Sequence, residues 1–238
     1  MIKTFYSQDE LNKIITNIAM RRGWDFSNMN TERQPVPWEY LDVVSHYLKP
    51  TDSILDVGTG GGEKLISLAK YYGQGVGIDI DPQMVTVAKE NARNTDNASF
   101  YVDSEKLEKT NGNFDVILCR QAPFDSATIY NHLSLRGYFI TQQVGEKNMS
   151  NIKKVLNMEK SEPVITSQQL LGAGFKLISF MEYNVEYVVK DIESLVFWLK
   201  ALDMLHSDLD GAVVVADADV LNKILGGNVD VTRGNIGC

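Results

Sequence analysis

A layered α/β fold around a mostly parallel, doubly wound sheet is what this sequence predicts, on three observations. From Ser53 onward short apolar runs alternate with turns and helical stripes, a glycine-rich turn follows the first run directly, and acidic residues stand at the ends of the next two runs. Alternating strand and crossover helix puts parallel strands in one sheet with helices on both faces. The layer is Rossmann-like, with an N-terminal helical cap before it.

The cap comes first. Ser7-Gln8-Asp9-Glu10 has capping-box spacing, and Leu11, Ile14, Ile15, Ile18 and Ala19 then recur at helical intervals until Gly23. Leu41, Val44, Tyr47 and Leu48 form a second helical stripe, stopped by Pro50. Strands follow at Ile54 to Val57, Val76 to Ile80, Ser99 to Val102, Phe114 to Cys119 and Tyr138 to Gln143. Leu65, Ile66, Leu68 and Ala69 mark the helix after the first strand, and Met84, Val85, Val87 and Ala88 the helix after the second, opened by Pro82. Phe175 to Val189 reads as a sixth strand, and Ile192, Leu195, Val196, Leu199 and Leu202 as a helix. A seventh strand has only Ala212 to Ala216 as a candidate, and that run leads into a helical pattern from Asp217 to Leu225. These changes of period divide the chain into a cap (1–50), a sheet core (51–190) and a C-terminal helical segment (191–238).

The 238 residues fit one large domain, with 44% hydrophobic and 23% charged residues excluding a disordered chain. Lys and Arg total 23 against 31 Asp and Glu, a net charge of −8, and no basic run occurs, so nucleic acid is an unfavourable partner. No apolar stretch suits a signal peptide or a membrane span, which points to a cytoplasmic protein. Cys119 and Cys238 build no disulfide framework or metal site, so no metal is expected. Oligomeric state leaves no trace in the sequence.

The chemistry concentrates in Asp56-Val57-Gly58-Thr59-Gly60-Gly61-Gly62-Glu63. Gly58, Gly60 and Gly62 permit a tight turn and close backbone approach to a ligand, while the next helix offers free N–H groups. Glu63 stands where a dinucleotide pattern has its third glycine and would repel a diphosphate, whereas a ligand with an ammonium group tolerates it. A dinucleotide oxidoreductase is thereby disfavoured. About twenty residues on, Asp79 ends the second strand, where a carboxylate can accept both ribose hydroxyls of an adenosine. Asp103, ending the third, can accept from an adenine amino group.

Asp56-x-Gly58-x-Gly60-x-Gly62, Gly77-x-Asp79, Asp103-Ser104 and Phe114 to Leu118, in this order from about Thr51 to Val144, resemble successive motifs of class I S-adenosylmethionine-dependent methyltransferases. The resemblance implies that S-adenosyl-L-methionine is the cofactor. It places Gly58, Gly60 and Gly62 along the methionine moiety, Asp79 at the ribose, Ile80 beside the adenine, Asp103 at its amino group and Ser104 as a backbone contact. Asp56 would orient the loop, and Cys119, ending the fourth strand, falls beside the cofactor.

A sulfonium methyl is already electrophilic, so the protein needs chiefly to align an acceptor and exclude water. No catalytic residue can be named. The fourth strand ends Cys119-Arg120-Gln121-Ala122-Pro123-Phe124, without the Asn/Asp-Pro-Pro-Tyr of many amino-group enzymes and without a proline before the cysteine. Cys119 follows Ile117 and Leu118 and suits a buried core position. Candidate acceptor contacts are Arg120, Gln121, Gln143 and, from the cap, Trp24; Phe26, Trp38 and Tyr40 either roof a substrate or pack the cap onto the sheet. The acidic balance and short cap lead to the expectation of a small-molecule acceptor, with an RNA base or a non-catalytic cofactor-binding role as alternatives.

Overall fold

The computed structural model describes residues 6–18, 26–145, 148–155, 167–202 and 233–237. Ahead of the sheet lie α1 (Gln8–Asn17), β1 (Thr31–Arg33) and α2 (Tyr40–Ser45). Ser7 closes the expected capping box: its hydroxyl accepts from the Glu10 N–H at 3.3 Å while its own N–H donates to the Glu10 carboxylate at 2.9 Å.

The main sheet begins with β2 (Ser53–Val57), β3 (Gln74–Asp79), β4 (Ala98–Val102), β5 (Phe114–Arg120) and β6 (Leu133–Val144), all parallel. Their order is β4-β3-β2-β5-β6. The chain thus builds outward from β2, then returns to place β5 on its other side. That reversal opens a crevice at the carboxyl ends of β2 and β5, where ligands of such sheets bind.

Both faces are covered, which is why the strands read as continuous apolar runs. On one face Ile54, Val116, Leu118 and Ile140 pack with Leu65 of α3 (Glu63–Ser67), Val85 and Ala88 of α4 (Pro82–Asn91), and Tyr40 and Val44 of α2. On the other, Leu55, Val57, Ile78, Ile117 and Cys119 pack with Ile129 of α5 (Ser126–Asn131). Pro82 occupies the first turn of α4, and the Asp81 carboxylate caps it by accepting from the Gln83 N–H at 2.8 Å.

Next come α6 (Ser150–Val155), α7 (Ser167–Gly172), β7 (Met181–Val185), β8 (Tyr187–Val189), α8 (Ile192–Ala201) and β9 (Arg233–Gly237). Two expectations change here. The stretch from Phe175 to Val189 is not one strand: β7 joins the main sheet, β8 leaves it to pair antiparallel with β1, and residues 175–180 carry no strand. Apolar composition alone does not make a strand without a neighbour, and β9, the partner of β7, reaches only to Met181. The seventh strand of the main sheet is β9, inserted antiparallel between β6 and β7. Its Arg-Gly-Asn-Ile-Gly sequence lacks alternation, and only pairing on both sides makes it a strand. Ala212 to Ala216 and Asp217 to Leu225 lie outside the described residues.

A separate core joins the two ends of the chain. Leu11 and Ile15 of α1, Ile152 of α6, and Ile192, Leu195, Val196, Trp198 and Leu199 of α8 form one buried cluster. Lys200 ties it further, its ammonium donating to the carbonyls of Ile15 at 3.0 Å and Ile18 at 2.9 Å at the end of α1. Phe26, half-buried against this cluster, meets Phe197 edge-on. Trp198→Ala is expected to lower unfolding stability by about 3–5 kcal/mol through the cavity it leaves, measured by urea denaturation.

Candidate active site

The glycine turn leaves β2 and doubles back before α3. Gly58, Gly60 and Gly62 all have positive φ, at 71°, 57° and 75°. Glycine is required twice over at two of them. A Cβ on Gly58 would stand 2.3 Å from the Ala122 Cβ, and one on Gly62 would stand 2.8 Å from the Phe100 ring. The turn is pinned to β3, the Thr59 N–H donating to the Ile78 carbonyl at 2.8 Å and the Gly60 N–H to the Asp79 carboxylate at 2.8 Å.

Asp56 holds the turn from inside the sheet, its carboxylate accepting from the Thr59 hydroxyl at 2.7 Å. The residue is buried, and desolvation raises its pKa to about 7. The Thr59 hydrogen bond opposes this rise; of the nearby charges, Asp79 and Glu63 add to it and Arg120 opposes it.

Asp79 is half-buried, and its other oxygen accepts from the Asp81 N–H at 2.9 Å. With about four lone-pair positions on a carboxylate, it retains acceptor capacity toward the crevice. Ile80 beside it is 71% exposed, a large apolar side chain at the strand end. Asp103 is held by its own loop. It is buried, and its carboxylate closes its own loop, accepting from Ser104 N–H at 2.9 Å, Lys109 N–H at 3.1 Å and the Thr110 hydroxyl at 2.7 Å. Burial pushes its pKa up, but these hydrogen bonds prevail and hold it below the usual carboxylate range.

At the end of β5, alternation sorts the side chains. Cys119 faces inward and is fully buried, its thiol donating to the Ala122 carbonyl at 3.3 Å, and burial pushes its pKa to about 12. It is a core group below the 121–123 turn, its thiol kept protonated by burial. Gln143 shares that side, donating to Ala122 O at 3.1 Å and Thr141 Oγ1 at 2.9 Å, and so braces the turn. Gln121 is exposed in the turn itself, at φ 55°. Arg120 faces the other way, with Nε donating to Gln142 Oε1 at 2.7 Å. The amide that lines the cavity beside Arg120 is therefore Gln142, itself buried; a strand's two-residue period separates neighbouring amides but does not say which face each one takes.

Arg120 and Gln142 line a cavity of about 550 Å³ together with Lys64, Tyr40, Glu39 and Tyr183. Tyr40 is buried and donates to the Ile140 carbonyl at 3.3 Å, while Trp38 stacks edge-on against Tyr183 at 4.8 Å. Trp38 thus packs the cap onto β7, while Tyr40 both anchors α2 to β6 and lines the cavity. Lys64 could have been suspected from its place one residue into the helix that follows the glycine turn; Glu39 and Tyr183 come from distant segments with no motif. Trp24 lies outside the described residues. Among the described residues no His, Cys, Asp and Glu cluster is placed to hold a metal, and no helix is long and apolar enough to cross a membrane.

Comparison with known proteins agrees with this fold. A family model described as a methyltransferase domain matches residues 48–192. The ribosomal protein L11 methyltransferase of Staphylococcus epidermidis is 33% identical over 154 residues, covering 60% of this chain and 44% of that one. The chain thus spans less than half the length of this curated relative. Among solved structures, YjhP of E. coli superposes with a TM-score of 0.56 at 18% identity, over 95% of this chain and 98% of that one. Phosphoethanolamine N-methyltransferase 2 of Haemonchus contortus, in complex with S-adenosyl-L-methionine, gives 0.53 at 18% identity over 83% and 51%. The two solved structures share the fold. The expectation of a small-molecule acceptor is corrected by the relatives, several of which are named for a ribosomal protein. Net charge and a short cap argue against polyanions but carry no information on the size of a protein-borne acceptor.

Gly58→Ala is expected to destabilise the fold by roughly 2–4 kcal/mol, combining left-handed strain with the clash at Ala122; thermal melting measures it. For Asp56 the folded pKa near 7 exceeds the unfolded value near 3.8, so the folded state binds more protons between them. Its contribution to stability therefore falls as pH rises from about 4 to about 7. Asp56→Asn should remove that decline, so the variant gains on the wild type by the order of a few kcal/mol across this window in denaturation at matched pH values.

Proposed function

Because this chain belongs to the methyltransferase-domain family of class I S-adenosylmethionine-dependent enzymes, we propose that it transfers a methyl group to a protein acceptor. The observation that carries the cofactor reading is the charge and shape of the glycine turn. Main-chain atoms line it, and Asp56, Asp79 and Glu63 make it a place for a cation rather than a diphosphate. S-adenosylmethionine supplies an electrophilic sulfonium methyl when bound there.

The residues fit that group. Gly58, Gly60 and Gly62 let the main chain run along the methionine moiety without side-chain obstruction. Asp79, fixed by Gly60 and Asp81, offers its remaining lone pairs to the ribose hydroxyls. Ile80 offers an exposed apolar surface to the adenine ring. Asp103 and Ser104 act by keeping loop 104–110 closed beneath the base. Acceptor alignment falls to the cavity beyond β5, lined by Arg120, Gln142, Tyr40 and Tyr183. No side chain there needs to act as a nucleophile, in keeping with the buried, protonated Cys119. Relatives named for ribosomal protein L11 support a protein as the class of acceptor.

S-adenosylhomocysteine should bind in titration calorimetry, and Asp79→Ala should weaken it by about ten- to a hundredfold, the worth of hydrogen bonds to a charged group. Tight NAD binding without S-adenosylhomocysteine binding would reverse the cofactor reading. Incubation with methyl-labelled S-adenosylmethionine and ribosomal proteins should place label in protein; label appearing in RNA alone would overturn the acceptor.

A further inference from the structure

The cavity beyond β5 has a charge arrangement that the methyl-transfer reading does not by itself explain. Arg120 and Lys64 both line it. Among the described residues neither has a carboxylate partner: Arg120 makes a side-chain hydrogen bond to the Gln142 amide, and the ion pairs join Arg33 to Glu39 and Lys190 to Glu32. Arg33, which also lines the cavity, is neutralised by Glu39, whereas Arg120 repels Lys64 and burial weighs against the charge of each. Gln142 is a neutral acceptor where a glutamate would have neutralised Arg120 outright. It fixes Nε, the guanidinium plane lies over the Tyr40 ring at 6.0 Å, and among the described residues no side-chain acceptor meets the other guanidinium donors, which suits a planar anion.

We infer that Arg120 and Lys64, set by Gln142, bind a carboxylate of the protein acceptor, an acidic side chain or a chain terminus next to the methylated group. This rests on the methyltransferase reading above. The walls of the cavity come from β1, α2, the start of α3, the ends of β5 and β6, β7 and β8, and none of Asp79, Ile80 and Asp103 lines it. It is therefore a different subsite from the one assigned to adenosine. Glu39 and Asp42 also line it, which limits the occupant to a compact single charge and disfavours a polyphosphate chain.

The test uses succinate as a probe, titrated by NMR into the full chain saturated with S-adenosylhomocysteine, with uncharged succinamide as the control. Succinate should bind and succinamide should not. Arg120→Gln should weaken succinate by about tenfold or more while changing S-adenosylhomocysteine affinity by less than about threefold. Gln142→Glu, which hands Arg120 an internal carboxylate of the same shape, should abolish succinate binding with the fold intact by circular dichroism; it keeps the inference testable if Arg120→Gln misfolds. Succinate binding unaffected by either substitution overturns the inference, as does a loss confined to S-adenosylhomocysteine, which would assign the cations to the cofactor. Preference for an oligonucleotide over succinate overturns it too. If S-adenosylhomocysteine itself fails to bind the wild type, the underlying reading fails first.

Discussion

Two carboxylates hold the glycine turn in place, and the rest of the site depends on them. Asp56 reaches the turn from within β2 through the Thr59 hydroxyl, and Asp79 reaches it from β3 through the Gly60 amide. A turn with alternate residues at positive φ has no ladder of its own, so its backbone groups need partners outside it. Supplying them from two adjacent strand ends makes the turn part of the sheet. Gly62 completes the arrangement by letting the start of α3 lie against Phe100 of β4.

That solution has an electrostatic consequence. Asp56 is buried with its charge opposed by desolvation and by Asp79 and Glu63, so the turn favours either a proton or a cation nearby. Beyond β5 the charges are mixed, with Arg120, Lys64 and Arg33 around one cavity that Glu39 and Asp42 also line. The crevice is thus divided into an acidic half over β2 and β3 and a half of mixed charge, in which Arg120 and Lys64 have no carboxylate partner among the described residues. A sulfonium ligand and an anionic acceptor group suit these halves respectively.

The sheet places the two halves side by side, but the walls of the second come from both ends of the chain. β1 pairs with β8, and α1 packs on α8, so the segment before the sheet and the segment after it form one layer beside the cavity. The fold is shared with proteins of low sequence identity, and a shared fold does not by itself fix an acceptor.

Local sequence determined the five strands between Ser53 and Gln143, the helices after the first two, the starts of α1 and α4, and the glycine and acid positions, but not α5 or the early start of β6 at Leu133. Each feature so determined follows from interactions within a few residues: apolar period, cap hydrogen bonds and the φ that only glycine takes easily. What tertiary structure decided is everything that needs a distant partner. Arg-Gly-Asn-Ile-Gly becomes β9 because β6 and β7 flank it, and residues 175–180 fail to become a strand because nothing pairs with them. Asp103 turns into its own loop because Thr110 is there to meet it. Gln142 rather than Gln143 faces the cavity because register opposite Arg120 puts it on that side. A side chain's partner is chosen by the packing of remote segments, and that choice leaves no periodic signal in the chain.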